Sequence, residues 1–360
     1  MIQIKTAVIG LGRIASLLEE DSLREKPCTH AGAITSNKDC ILTAGCDLNE
    51  ERRNLFTQKW NVPVYTNAQE MLINHKPQIV VIATHPDSHY FYCNLAAKMN
   101  IPVVICEKPL ADNIGKAKKI AQLAKKNNPI IITNHERRYS QDYIKAKTIL
   151  EEGKLGKIVA VRATLYMGKN RRLIDQLWHD GTHLADVIMF LTNSKLKHKK
   201  TWGDKLNSRS GTAWLEGCLL QKTSHRGTEA RSCCSIISLN NSNNHFAPLR
   251  LCERSSGIPV LIEIGSSRDH LVFEIEFSCK KGRLRIGNGV FEVWESLPSP
   301  YAENFRSLKN TGKSFTGATG YFANMLKDAV TCVKDPQRKP LSGAVDGLNV
   351  IKYLNSVKKW

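Results

Sequence analysis

Ile4-Lys-Thr-Ala-Val-Ile-Gly10-Leu-Gly12-Arg13-Ile14-Ala15 decides the fold. An apolar strand runs straight into a Gly-x-Gly-x-x-Ala turn, and a helix is expected to follow, which is the pattern of a dinucleotide-binding βα unit. Gly10 permits the tight turn, Gly12 lets the main chain approach a pyrophosphate, and Ala15 lets the helix pack close to the strand. The helix N-terminus would offer unpaired N–H groups and a partial positive charge to the phosphates. Gly10, Gly12, Arg13 and Ile14 are therefore candidate cofactor-binding residues. Asp47 joins them, because an acidic side chain at the end of the second strand can accept hydrogen bonds from a ribose 2′-hydroxyl. That favours NAD, with NADP as the alternative because Arg52 and Arg53 follow one helical turn on. The same Asp47 would also serve as an N-cap.

Outward from this stretch the pattern repeats. Strands are expected at 4–9, 41–46, 78–83, 102–106 and 129–133, with helices at 50–59, 88–99 and 113–127. Ile79-Val-Val-Ile-Ala83 and Val103-Val-Ile-Cys106 are unbroken apolar runs, as strands covered on both faces require. The stretch 17–39 is longer than one crossover helix, and Pro27 is expected to divide it, with a second helical piece from His30. Near Glu136 the pattern changes. A helix is expected at 142–152, a strand at 157–166 and an apolar-periodic helix at 174–191. Leu271, Phe273, Ile275 and Phe277 then alternate with polar positions, Asn288-Gly289 reads as a hairpin turn, and helices close the chain at 321–333 and 344–358.

The expected fold class is α/β: an N-terminal Rossmann doubly wound parallel sheet plus a C-terminal α+β domain with an open, mainly antiparallel sheet. The domains are 1–135 for the dinucleotide, 136–340 for substrate and oligomerisation, and 341–360 as a helix returning to the first domain. Residues 221–256, rich in Ser, Asn, Arg and Cys, fit no period and read as a long flexible hairpin insertion.

With 360 residues, about two domains are expected. The formal charge of +19 is spread mostly over helices, and only Lys195-Leu-Lys-His-Lys-Lys200 is compact. No nucleic-acid motif accompanies it, so a solvated basic face is the reading and nucleic acid is not an expected partner. The 11 cysteines form no CxxC pair, and Cys40, Cys46, Cys93 and Cys106 lie in or beside apolar elements, where free cysteine acts as a small hydrophobe. A cytoplasmic location fits, and no apolar run is long enough to span a bilayer, so no membrane association is expected.

Two further clusters carry chemistry. Glu107-Lys108-Pro109 follows the fifth strand, so Lys108 projects from the carboxyl edge of the sheet, where it can favour deprotonation of a reacting hydroxyl. Trp178-His179-Asp180-Gly-Thr-His183-Leu-Ala-Asp186, if helical, puts His179, His183 and Asp186 on one face. Removing hydride from a carbon bearing a hydroxyl needs a group to take the hydroxyl proton, and His183 suits that role. Two histidines four apart also suit a metal, but no HExxH and no third ligand is evident, so none is expected.

Together these clusters resemble the Gfo/Idh/MocA oxidoreductase family. The matching pieces are Gly10-Leu-Gly-Arg13, Cys46-Asp47, Ile82-Ala-Thr-His-Pro-Asp-Ser-His89, Cys106-Glu-Lys-Pro-Leu110, Arg137-Arg-Tyr139, Gly153-Lys-Leu-Gly156, Gly181-Thr-His-Leu-Ala-Asp186 and Lys339-Pro-Leu-Ser-Gly-Ala-Val-Asp-Gly347. The resemblance implies hydride transfer between a nicotinamide and a sugar, cyclitol or related polyol. Lys108 and His183 would stand at the reacting carbon, and Thr84, His85, His89, Glu107 and Lys108 would border the cofactor. His179 stands where the family usually has Asp, with Asp180 one step out of register, so either could be the assisting group. Arg137, Arg138, Tyr139, Tyr166, Lys169 and Arg171 are candidate substrate-binding residues, and such a basic set suggests an acidic or nucleotide-linked sugar. A homodimer or homotetramer through the C-terminal sheet is expected. The alternatives are an NAD-using glycoside hydrolase of the same fold and a non-catalytic nucleotide-binding regulator.

Overall fold

The computed structural model describes residues 3–125, 129–168, 170–220, 257–312 and 314–358. The insertion expected at 221–256 and the candidate Lys169 lie outside the described residues. Strands β1 (Ile4–Ile9), β2 (Cys40–Cys46), β3 (Val64–Tyr65), β4 (Ile79–Ile82), β5 (Val103–Cys106) and β6 (Ile130–Thr133) form one parallel sheet in the order β3-β2-β1-β4-β5-β6. Helices α1 (His30–Ser36), α2 (Glu50–Trp60), α3 (Ala68–His75), α4 (His89–Lys98) and α5 (Ile114–Lys125) make the crossovers. This is the doubly wound order, and its switch point falls between β1 and β4. The apolar runs of β4 and β5 are buried end to end, as their composition requires. β3 and α3 escape a reading by periodicity because the strand is two residues long.

The expected helix directly after Gly12 is not an α-helix. Residues 12–16 make an irregular turn, with Ser16 N–H on the Gly12 carbonyl and Leu18 N–H on the Arg13 carbonyl, and a 3₁₀ turn, Leu17–Glu20, completes it. The Glu19 carboxylate then takes hydrogen bonds from Cys28 N–H and Thr29 Oγ1, tying the detour 21–29 back on itself. Thr29 caps α1 through Gly32 N–H. Pro27 does divide the stretch, and the helical piece starts at His30.

The second sheet contains eight strands in the order β14-β13-β12-β11-β7-β10-β9-β8. They are β7 (Ile158–Met167), β8 (Lys195–Gly203), β9 (Gly211–Leu220), β10 (Gly257–Ser266), β11 (Val272–Cys279), β12 (Gly282–Gly287), β13 (Val290–Pro298) and β14 (Arg306–Asn310). Only β7 and β10 run parallel, so the sheet is mainly antiparallel. The basic cluster at 195–200 is edge strand β8: Leu196 and His198 are buried while Lys195 and Lys197 face solvent. Lysines on an edge strand discourage pairing with other chains.

Helices α6 (Gln141–Glu151), α7 (Leu173–His179) and α8 (Gly181–Thr192) cover one face of this sheet. The single helix expected over 174–191 is thus two. α9 (Tyr321–Lys334) buries Phe322, Met325, Leu326 and Ala329 among residues of the Rossmann core. Fully burying a Phe, Met or Leu side chain stabilises the fold by about 1.5–3 kcal/mol. α10 (Ala344–Val357) spans both units, with Ala344 and Ile351 in a Rossmann layer and Val350, Tyr353, Leu354 and Val357 in the core of the second domain. The eight described cysteines are free. Among the described residues no helix is long and apolar enough to cross a membrane.

Candidate functional site

Gly10 has φ +87°, and a Cβ there would lie 2.7 Å from the Ala83 main chain. Only glycine fits, because β1 and β4 end side by side at the switch point. A Cβ on Gly12 would meet nothing closer than the Arg52 guanidinium at 3.7 Å. The N–H groups of Gly12, Arg13 and Ile14 donate to no acceptor among the described residues. Three free amides beside an open glycine form an anion cradle even without a regular helix. Asp47 closes its other side: Oδ2 accepts Leu11 N–H at 2.7 Å, Oδ1 accepts Asn49 N–H at 2.9 Å, and Arg52 stands 3.7 Å away. Arg13 is exposed, whereas Ile14 packs against the apolar core.

Beyond β5, Glu107 is buried, with His30 Nε2 at 2.8 Å and Asn134 Nδ2 at 2.5 Å. Burial opposes its ionisation, yet these partners hold its carboxyl below the usual range. Glu107 is therefore a strut under the sheet edge. His89, expected at the cofactor, is fully buried instead. Its Nε2 faces the Thr84 carbonyl at 3.0 Å and its Nδ1 the Pro109 carbonyl at 3.1 Å, so it joins two loops. Thr84 Oγ1 accepts from Ser88, and His85 is exposed at the same rim.

The Lys108–Pro109 peptide is cis. Lys108 Nζ donates to the His179 carbonyl at 2.8 Å, and Thr182 Oγ1 donates to the same oxygen at 2.9 Å. His183 N–H turns to the Asp180 carbonyl at 3.0 Å. This capture of one carbonyl by two side chains breaks the helix between α7 and α8. It also overturns the expected shared face: His179 is 62% exposed, while Asp180 and His183 face inward. His179 Nδ1 lies 3.0 Å from Asp180 Oδ1, and Asp180 Oδ2 is buried without a partner among the described residues. Burial opposes ionisation of Asp180, but His179 and Lys108 lower its pKa. Burial first, then the charges of Lys108 and Arg137, push His183 well below its ordinary 6.5.

Asp180 and His183 line a cavity of about 420 Å³ between the two domains. Its walls include Arg24 from the detour after the glycine turn, Glu136 and Arg137 from the 3₁₀ turn Glu136–Tyr139, and Asn288 from the hairpin. The Glu25 carboxylate accepts Thr319 N–H and Oγ1 and Gly320 N–H, which fixes this wall. Neither Arg24 nor Glu136 was an expected site residue; the excess length of 17–39 was the only signal for Arg24, and Glu136 marked only the change of pattern between the domains.

Most of the expected substrate residues point elsewhere. In a 3₁₀ turn neighbours diverge by about 120°, so Arg137 enters the cavity while Arg138 and Tyr139 go inward. Arg138 is sealed against Asp186, with Nη2 at 2.7 Å and Nε at 2.9 Å. Tyr139 is buried with its hydroxyl on Asp328 at 3.1 Å. Tyr166 lies on the opposite sheet face from Leu165 and Met167, which line the cavity, and bonds Glu263 there. Arg171 lies near enough to lower the Asp180 pKa, without lining the cavity. Among the described residues no group of three or more His, Cys, Asp or Glu side chains is placed to hold a metal ion.

Residues 4–135 match the model of an oxidoreductase family with an NAD-binding Rossmann fold, Gfo/Idh/MocA. An uncharacterised oxidoreductase of Schizosaccharomyces pombe is 31% identical over 203 residues, 53% of this chain and 52% of that one. The myo-inositol 2-dehydrogenase of Thermotoga maritima is 28% identical over 162 residues, 45% of each chain. The chain thus spans about half the length of the curated relatives it matches. A dehydrogenase structure from Chromobacterium violaceum superposes with a TM-score of 0.73 at 14% identity, covering 100% of this chain and 95% of that one, so the fold is shared throughout.

Proposed function

Residues 4–135 of this chain belong to the Gfo/Idh/MocA oxidoreductase family, and from that premise we propose a dehydrogenase that oxidises one hydroxyl of a sugar, cyclitol or related polyol to a carbonyl with NAD. The cradle fits a dinucleotide: the free amides of 12–14 suit its diphosphate, and Asp47 suits an unphosphorylated ribose. When bound, the nicotinamide supplies the acceptor for the hydride leaving the carbinol carbon.

The chain's own residues handle the proton. Burial and the neighbouring cations keep His183 neutral at physiological pH, so its imidazole can accept the hydroxyl proton as the C–H bond breaks. An ammonium carries three N–H groups; one on Lys108 is spent on the His179 carbonyl, and the others are free to stabilise the developing alkoxide. Asp180, with one oxygen unpartnered, takes the assisting role in preference to exposed His179.

One observation carries this reading: Asp180 and His183 share a cavity wall directly beyond the carbonyl held by Lys108. The test is a panel of sugars and cyclitols with NAD and with NADP, read by absorbance of the reduced cofactor. Net reduction that disappears in Lys108→Ala and His183→Ala, with NAD affinity kept, is expected. Nucleotide binding without net reduction on any polyol sinks the proposal.

A further inference from the structure

The charges around the cavity are unevenly satisfied. Arg137 donates Nη1 to Tyr143 Oη at 2.9 Å and Nη2 to Asn288 Oδ1 at 3.0 Å, and its guanidinium lies 3.8 Å over the Phe273 ring. Asp142 accepts from the Ser140 hydroxyl and from Tyr143 N–H. Asp180 is half engaged by His179. Arg24 is turned to Asp21, 3.1 Å away. That leaves Glu136, a half-buried cavity-lining acid whose carboxylate takes no hydrogen bond from any described residue.

We propose that Glu136 is the substrate-selecting residue of this cavity, its carboxylate accepting hydrogen bonds from hydroxyls of a neutral polyol and excluding substrates that bring a carboxylate or phosphate of their own. The inference rests on the dehydrogenase reading above and narrows its substrate class. A carboxylate has only acceptors, so its ligand must bring donors. The nearby basic groups are largely committed: Lys108 to the His179 carbonyl and, as proposed above, the reacting hydroxyl, Arg138 to Asp186, Arg24 to Asp21, and Arg137 to Tyr143 and Asn288, with only its buried Nε unpartnered among the described residues. Three acids against two arginines line the space. Burial raises the Glu136 pKa while Arg137 and Lys108 lower it. An incoming anion would raise it further, whereas hydroxyl donors favour the ionised form.

The test uses the full-length protein saturated with NAD. Matched pairs, D-glucose against D-glucuronate and myo-inositol against its monophosphate, are compared by initial rate and by calorimetric titration. In the wild type the neutral member of each pair is expected to have the higher kcat/KM. Glu136→Gln is expected to raise KM for the neutral member by about 10-fold or more, to change kcat less, and to shrink the preference over the anionic member. Glu136→Asp keeps the charge and is expected to recover part of that preference; its melting curve and NAD affinity, and those of Glu136→Gln, guard against misfolding. A wild type that turns over the anionic members in preference to the neutral ones, or whose preference is unmoved by Glu136→Gln, overturns the proposal. Absence of NAD binding, or NAD binding without reduction on any member of either pair, sinks the dehydrogenase reading instead.

Discussion

The Lys108 ammonium lies 2.8 Å from the carbonyl oxygen of His179, a residue of the other domain. This bond diverts a helical acceptor, ends α7 and turns Asp180 and His183 toward the cavity. Lys108→Ala is therefore expected to remove both the charge proposed to act on the reacting hydroxyl and the anchor of the helix break. A fall in kcat/KM of about 10²- to 10⁴-fold is expected, with the NAD dissociation constant changed little. Hydrogen exchange at the His183 amide should quicken at the same time. If exchange is unaltered and only the rate falls, the anchoring role is wrong and the charge acts alone.

His89, His135 and His183 are all buried with pKa values pushed below the ordinary 6.5. The unfolded chain therefore binds more protons than the folded one between those lowered values and 6.5. Stability contributed by keeping these rings neutral is fully present above about pH 6.5 and is lost as pH falls below it. Thermal melts from pH 8 to pH 5 are expected to drop by several degrees over the acid half of that range. His135 is the clearest probe, because neither ring nitrogen has a hydrogen-bond partner among the described residues and Asp186 is 3.7 Å away. His135→Asn should flatten the acid limb, and an unchanged limb would count against this ring as a contributor.

Asp47 Oδ2 accepts Leu11 N–H at 2.7 Å, so the carboxylate braces the glycine turn, and in the proposed reading it is also the group that faces the ribose. Asp47→Ser keeps an acceptor and removes the charge beside Arg52, which then becomes free to meet a 2′-phosphate. NAD affinity should weaken and NADP affinity strengthen, moving the ratio of dissociation constants by about 10-fold or more. Fluorescence titration with both reduced cofactors measures it. A ratio that stays constant would remove Asp47 from cofactor choice.

The order of strands and helices up to β6 was legible because buried parallel strands leave continuous apolar runs and crossovers leave helical ones. The edge strand β8 was not, since its lysines alternate with only two buried side chains and read as a charge cluster. The fingerprint was legible as three small residues, but the fate of the following helix depended on Glu19 reaching Cys28 and Thr29, a contact that local pattern does not encode. Lys108, Asp180 and His183 were legible by type and position. Which of His179 and Asp180 faces inward was not, because it is set by a side chain 71 residues away in sequence. Likewise Arg137, Arg138 and Tyr139 look equivalent in sequence, and only the rotation of a 3₁₀ turn separates the cavity residue from the buried ones.

Arg138 is the sharpest test of that separation. Its guanidinium grips Asp186 through Nε and Nη2, at 2.7 to 3.0 Å, and also meets the Leu341 carbonyl at 3.0 Å and Asp346 at 3.2 Å. Asp186 is 1% exposed, so Arg138→Met leaves a buried carboxylate with little but His135 nearby. Breaking one side of such a pair costs about 3–5 kcal/mol, and a melting temperature lower by several degrees is expected. Arg138→Met with Asp186→Leu removes both charges, and most of the loss should return, because two apolar side chains replace a buried pair at little cost. KM for polyol in the folded fraction should stay near the wild-type value in both variants. A substrate-binding arginine would behave in the opposite way, raising KM with the melting temperature kept, and that outcome would return Arg138 to the cavity wall.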